Sequence, residues 1–292
     1  MRKNFINLLI KEAKQNKKIF LIVGDLGYNV VEPFKKLFPD RFLNVGVAEQ
    51  NLAGIAAGIA SEGMHVFMYS IGNFPTFRCA EYLRNDIDYH NLSVTVVAVG
   101  SGLSYGNLGY SHHAIQDYGL IRMMKNFLIY SPTDNIELES SLKYLFKNPG
   151  PSYLRIDKNV ERNIHLNKLN IKPGNWISIR KYKKNNKKTF LITGNTTNFA
   201  YSLIKNKYKD FDINCLPVWG MKSKKNQLNK IKNFNKIITI EDHLHDNGFG
   251  SWLLESAPSI YKARIENIAL APEVIGKVGD QKYLNKYLKH FR

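Results

Sequence analysis

The stretch "FLNVGVAEQNLAGIAAGIASEG", residues 42–63, sets one carboxyl, Glu49, at the head of a segment built almost wholly from Ala, Gly, Ile and Leu. A bare buried carboxylate is costly enough that it is normally paired, protonated or hydrogen-bonded to something specific. Small residues at close spacing (Ala53, Gly54, Ala56, Ala57, Gly58, Ala60) follow the strand-like "RFLNVGV" and predict a helix over 48–62. Glycine inside a helix costs about 1 kcal/mol relative to alanine, so two of them predict that another backbone approaches closely. On spacing alone the segment also fits a tightly packed core helix whose first turn Glu49 stabilises, because carboxylates are favoured near helix N-termini.

Outward from this segment, short apolar, β-rich runs alternate with amphipathic stretches: "IFLIVG" (19–24), "VTVVAVG" (94–100), "FLIYSP" (127–132) and "SYLRI" (152–156). Such alternation means a parallel sheet covered by helices on both faces. The pattern lapses over about 157–188, around a Pro173–Gly174 turn, and resumes with "TFLITG" (189–194), "DINCLPV" (212–218) and "KIITIED" (236–242). The fold class is therefore α/β with two domains, each a mostly parallel sheet with helices on both faces. Their expected limits are 1–160 and 189–292, with a basic linker over 161–188.

Composition narrows the function. The 292 residues carry a formal net charge of +18, but 1–150 hold 15 Lys/Arg against 13 Asp/Glu, whereas 151–292 hold 27 against 11. The excess sits in Lys/Asn-rich runs such as "RKYKKNNKK" (180–188), with little aromatic interleaving and no nucleic-acid module, so no nucleic-acid partner is expected. No run of about 18 apolar residues escapes a charge or a break, so no membrane span is expected either. The N-terminal "MRKNFINLLIKEAKQNKK" reads as an amphipathic helix and not as a signal peptide. Cys79 and Cys215 lie far apart without CxxC spacing, which predicts neither a disulfide framework nor a zinc site and suits a cytoplasmic location.

The opening segment resembles the pyrimidine-binding domain of transketolases and of 1-deoxyxylulose-5-phosphate synthase, where a Gly-(Ile/Val)-(Ala/Arg)-Glu core precedes a small-residue helix. The resemblance implies that Glu49 hydrogen-bonds the N1′ nitrogen of the aminopyrimidine of thiamine diphosphate, helping that ring to remove the proton from thiazolium C2. It runs over nearly the whole chain. "YSIGNFPTFRCAEYLRNDI" (69–87) is similar to the segment that stacks on the pyrimidine, which implies Phe74 and Phe77 as the aromatic platform; two phenylalanines at that spacing also fit a core. "GLSYGNLGYSHHAIQDYGLIRMMKNFLIYSPTD" (102–134) is similar to the family's Gly-rich loop and implies His112 as a catalytic, donor-contacting histidine. "PSYLRID" (151–157) implies Arg155 as the grip on a sugar phosphate, although an arginine at a strand end also fits an ion pair. Asp25 in "LIVGDLG" falls near the position of an aspartate beside the thiazolium. Residues from 189 onward resemble the transketolase C-terminal domain, which makes Glu241, His243, His245 and Asp246 a structural turn; no protein metal ligands are expected in the chain.

Three departures shape the expectation. Leu108-Gly109-Tyr110-Ser111-His112 stands where the family has Asp-Gly-Pro-Thr-His, so the carboxylate that reads a donor hydroxyl is lost. A phosphate-holding histidine upstream is replaced by glycine, near Gly100. The Gly-Asp-Gly motif followed about 25–30 residues later by Asn, which holds Mg²⁺ and the diphosphate, has no counterpart among these residues. The resemblance thus implies a split transketolase-like enzyme acting on sugar phosphates, with Mg²⁺ held by a second subunit and an α2β2 heterotetramer as the assembly. The alternatives are the β subunit of a 2-oxo acid dehydrogenase E1 component and a non-catalytic scaffold of the same fold.

Overall fold

The computed structural model describes residues 1–158 and 163–291. Thirteen strands form two sheets: β1 Ile19–Val23, β2 Phe42–Asn44, β3 His65–Ile71, β4 Val94–Val99, β5 Leu128–Tyr130, β6 Ser152–Ile156, β7 Ile177–Arg180, β8 Lys188–Ile192, β9 Asp212–Cys215, β10 Val218–Trp219, β11 Lys236–Leu244, β12 Ile265–Leu270 and β13 Leu288–Phe291. The first sheet runs β10-β5-β6-β4-β3-β1-β2 and the second β13-β12-β11-β8-β9-β7. Within the first sheet β10 pairs antiparallel with β5, and the remaining pairs are parallel. In the second, both edge strands are antiparallel to a parallel centre.

Continuous apolar runs such as Val94–Val99 are buried throughout, as a sheet covered on both faces requires. On one face, helices Arg2–Gln15 and Asn135–Lys147 pack Phe5, Ile6, Leu9, Leu138, Leu142 and Leu145 against Leu21, Phe67 and Leu154. On the other, helix Glu49–Ser61 buries Leu52, Ala53, Ala56 and Ala57 in a core that also takes in Trp219, Phe249 and Trp252 from the second half. The two halves therefore share a core.

The glycines of that helix do not admit a neighbouring backbone. A Cβ on Gly54 would meet the Tyr82 ring at 3.6 Å, and Gly58 faces open space. The expected linker also needs correction. The boundary at 160/161 lies outside the described residues, and part of 161–188 is β7, the edge strand of the second sheet, with Trp176 stacked on Phe234 beside it. Conversely, Val218 and Trp219 leave the second half to extend the first sheet. No helix among the described residues is long and apolar enough to cross a membrane.

Candidate active site

The chain leaves β1 towards β2 on one side and returns to place β3 on the other. That reversal opens a crevice at the carboxyl ends of β1 and β3, the place where open parallel sheets bind ligands. Gly24 follows β1 there, and a Cβ on it would lie 3.7 Å from Glu49 Oε1. Glu49 begins its helix directly behind Ala48 and is 2% exposed. Ser70 Oγ, near the end of β3, donates to Glu49 Oε1 at 3.3 Å, and Arg78 Nη1 donates to Oε2 at 2.7 Å. Cys79 Sγ donates to the Glu49 carbonyl at 2.9 Å, and burial, followed by the Glu49 charge, pushes its thiol up to about 12. Cys79 is therefore an inert thiol that pins the start of the helix.

Arg78 is a site residue that the sequence does not announce. Its guanidinium lies 4.4 Å from the centre of the Phe74 ring while bonding Glu49. Phe74 in turn meets His112 edge-on at 5.1 Å between ring centres. Glu49, Arg78, Phe74 and His112 are thus one continuous chain of contacts, and the i, i+4 spacing of Phe74 and Arg78 was its available signal. His112 accepts or donates at Nδ1 with Ser111 Oγ at 3.0 Å. Burial, then His113 and Arg78, lower its pKa, so the ring stays neutral to lower pH than a free imidazole.

The loop carrying His112 explains one departure. Gly100 has φ +86°, and a Cβ there would meet the Tyr105 ring at 2.2 Å. Tyr105, whose ring centre is 6.4 Å from that of His112, occupies the space a larger side chain would need. Leu108 projects outward and is exposed.

The other expected site residues separate from this group. Asp25, at φ +55°, pairs with Asn44: its backbone N–H donates to Asn44 Oδ1 at 3.0 Å, and Asn44 Nδ2 donates back to Asp25 Oδ1 at 2.9 Å. It borders the same crevice end through Gly24 but opens on a smaller cavity with Tyr28 and Phe42. Phe77 is 47% exposed and lines a cavity of about 610 Å³ with His243, Asp246 and Arg122.

Arg155 requires the largest correction. It is fully buried, and its Nε donates to Asp117 Oδ2 at 2.7 Å, its Nη1 to Asp242 Oδ1 at 2.5 Å and Tyr118 Oη at 3.1 Å, and its Nη2 to the Ala114 carbonyl at 2.7 Å. The Tyr118 ring lies 4.3 Å away. With every donor turned inward it clamps the two halves together and offers nothing to a phosphate. Arg78 is half-exposed beside Phe74, and Lys158 is exposed 5.5 Å from the Tyr105 ring, which itself neighbours His112. In the C-terminal turn, Glu241 accepts from the backbone N–H groups of Phe249 and Gly250 at 2.5 and 2.8 Å and so caps a helix. His243 stacks on Tyr118.

Residues 1–162 match the family described as "Transketolase, pyrimidine binding domain". The chain belongs to this family. A subunit of the apulose-4-phosphate transketolase of Actinobacillus succinogenes is 30% identical over 97% of this chain and 91% of that protein. The 1-deoxy-D-xylulose-5-phosphate synthase of Clostridium perfringens is 30% identical over 85% of this chain but only 40% of its own length. A split-gene transketolase solved as an inactive β4 tetramer superposes with a TM-score of 0.82 at 25% identity, covering 98% of this chain and 92% of that one. The transketolase of Leishmania mexicana shares the fold, with a TM-score of 0.78 at 15% identity over 98% of this chain and 42% of that one.

Thiamine diphosphate is the cofactor implied by this family, and the crevice fits its aminopyrimidine. Among the described residues Glu49 Oε1 receives only one long bond, the Phe74 ring lies against the Arg78 guanidinium that holds the other oxygen, and Asn73 Oδ1 is buried without a partner, an acceptor suited to an amino group. The Mg²⁺-diphosphate half has no such fit. Among the described residues no group of metal ligands lies beside Glu49.

Proposed function

We propose that this chain is the pyrimidine-binding subunit of a split, thiamine diphosphate-dependent transketolase-like enzyme that moves a ketol unit between sugars. A second polypeptide holds Mg²⁺ and the diphosphate, and the two chains assemble as α2β2. The buried Glu49, placed at the sheet's switch point and tied to Arg78, Phe74 and His112, carries this reading. It is supported by similarity along nearly the full length of a relative named as one subunit of a transketolase.

When bound, the cofactor supplies a nucleophilic carbon for the ketose carbonyl. Glu49 would hold a proton against the aminopyrimidine N1′, a role that its burial away from water suits. Arg78 holds one carboxyl oxygen and leaves the other facing the crevice. His112 offers a neutral imidazole to the donor's hydroxyl groups. Arg78 and Lys158 replace Arg155 as the cations for an anionic sugar.

Reconstitution with a partner carrying the Gly-Asp-Gly and Asn motif tests the proposal. Turnover of a ketose donor, with pyruvate and branched 2-oxo acids inert, is the expected result. Turnover of the oxo acids would place the chain with the dehydrogenase β subunits, and cofactor binding without turnover of either would make it a scaffold.

A further inference from the structure

A second cluster of reactive side chains lies where the two halves meet, away from Glu49. Glu137 comes from helix Asn135–Lys147, His165 from the segment after β6, and Cys215 from the end of β9. One ligand atom of each, Oε, imidazole N and Sγ, lies within 4.8 Å of the others. Cys215 Sγ donates to Glu137 Oε1 at 2.7 Å, and Glu137 Oε2 accepts from the Thr133 N–H at 2.8 Å. Both cysteines of the chain are free and buried, but among the described residues only Cys215 has such company.

The histidine decides the matter. His165 is 9% exposed, and its Nδ1 lies 3.0 Å from Asp134 Oδ2. Asp134 Oδ2 also accepts the backbone N–H groups of Ile164 and His165, so it is ionised and takes the Nδ1 proton as a hydrogen bond. That leaves Nε2, which has no hydrogen-bond partner and faces Glu137 Oε1 at 3.6 Å, too far for a hydrogen bond. Nε2, the Glu137 carboxyl and the Cys215 thiol thus converge inside the protein, with Nε2 in no hydrogen bond. A carboxylate fixing one nitrogen of an imidazole while the other faces a thiol and a second carboxyl is the arrangement that orients a histidine towards a metal.

We propose that Glu137, His165 and Cys215 form a binding site for a thiophilic divalent cation of the zinc class, with Asp134 positioning the histidine. Tetrahedral coordination with Zn–S near 2.3 Å and Zn–N or Zn–O near 2.0–2.1 Å sets ligand separations of about 3.3–3.6 Å. The His165–Glu137 separation already matches, and the Cys215–Glu137 pair must open by under about 1 Å once the thiol proton has left. The fourth position falls to water. Because the ligands come from both halves and the connection between them, the ion ties the two sheets together. A thiolate selects against the hard Mg²⁺ expected with a diphosphate, so the two metals are chemically distinct.

The full-length chain, stripped with a chelator and titrated with Co²⁺, provides the test. About one equivalent should bind with a thiolate-to-cobalt charge-transfer absorption, displaced by Zn²⁺, and the thermal midpoint should rise. Cys215→Ser should abolish the absorption, and Cys79→Ser should leave it unchanged. His165→Gln, which keeps the thiol, should weaken binding at least about 10-fold and serves if Cys215→Ser does not fold. Absence of the absorption in the wild type, or its survival in Cys215→Ser, would overturn the proposal and leave a hydrogen-bonded cluster. The readout needs neither thiamine diphosphate nor a partner, so it stands or falls separately from the transketolase reading.

Discussion

Replacing Arg155 with methionine probes the contact that most sharply separates structure from sequence. The side chain is fully buried against Asp117, itself 0% exposed, and Asp242, whose side chain is 11% exposed. Methionine fills most of the volume but leaves Asp117 facing only Tyr153 Oη and strips Asp242 of its partner. Breaking a buried ion pair by removing one member costs about 3–5 kcal/mol, because the remaining charge stays desolvated. At about 2 °C per kcal/mol for a chain of this size, the thermal midpoint should fall by about 6–10 °C. Adding Asp117→Asn and Asp242→Asn should recover part of that loss, since the charges left unpaired are then removed. Circular dichroism melts of wild type, Arg155→Met and the triple variant, with steady-state kinetics on a phosphorylated and a neutral ketose, provide the assay. Kinetic losses should be equal on both donors. A variant that melts within a degree of wild type while its Michaelis constant rises only for the anionic donor would restore Arg155 as a phosphate grip.

Glu49→Gln should fold and assemble like wild type while turnover falls at least about 100-fold, since the amide keeps the shape and loses the proton; wild-type turnover would reduce Glu49 to a helix-start residue. Lys158→Gln should raise the Michaelis constant for anionic donors by about 10-fold with melting unchanged, and an equal rise for neutral donors would remove it from the anion site; Arg78→Gln, which strips the buried Glu49 Oε2 of its partner, should instead lower the thermal midpoint and turnover on every donor. His65, tilted against Phe67 with Nε2 2.9 Å from Thr95 Oγ1, is pulled by burial from 6.5 down to about 3. The folded state then binds fewer protons than the unfolded state between those values, so the stability due to this group is complete above 6.5 and lost as pH falls towards 3. Between about pH 7 and about pH 5 that amounts to about 2 kcal/mol, which denaturant midpoints should show for wild type and not for His65→Gln.

Much of the architecture was legible because buried parallel strands write themselves as apolar runs: β1, β4, β6, β8 and β11 begin within a residue of where those runs predict. Of the four edge strands only β2, inside the strand-like "RFLNVGV", was legible. β7, β10 and β13 have two to four residues each, and nothing periodic can be read at that length. β3 escaped because "HVFMYSI" follows the small-residue helix with only Gly63 as punctuation. Glu49 and His112 stood out through flanking motifs, whereas Arg155 misled because a strand-end arginine reads the same whether it faces a ligand or a buried carboxylate. Its partners Asp117 and Asp242 lie 38 and 87 residues away. Cys215 looked solitary for the same reason, since Glu137 is 78 residues from it and only the fold brings them together.

The claim that this chain holds the pyrimidine half of a shared cofactor site is tested most directly by calorimetric titration of thiamine diphosphate and Mg²⁺ into the purified chain, alone and with its partner. Binding by the chain alone should be weak, because Glu49, Phe74 and Asn73 are present while no diphosphate ligands stand beside them among the described residues, and affinity should rise steeply when the partner is added. Micromolar, Mg²⁺-dependent binding by the chain alone would contradict the shared site.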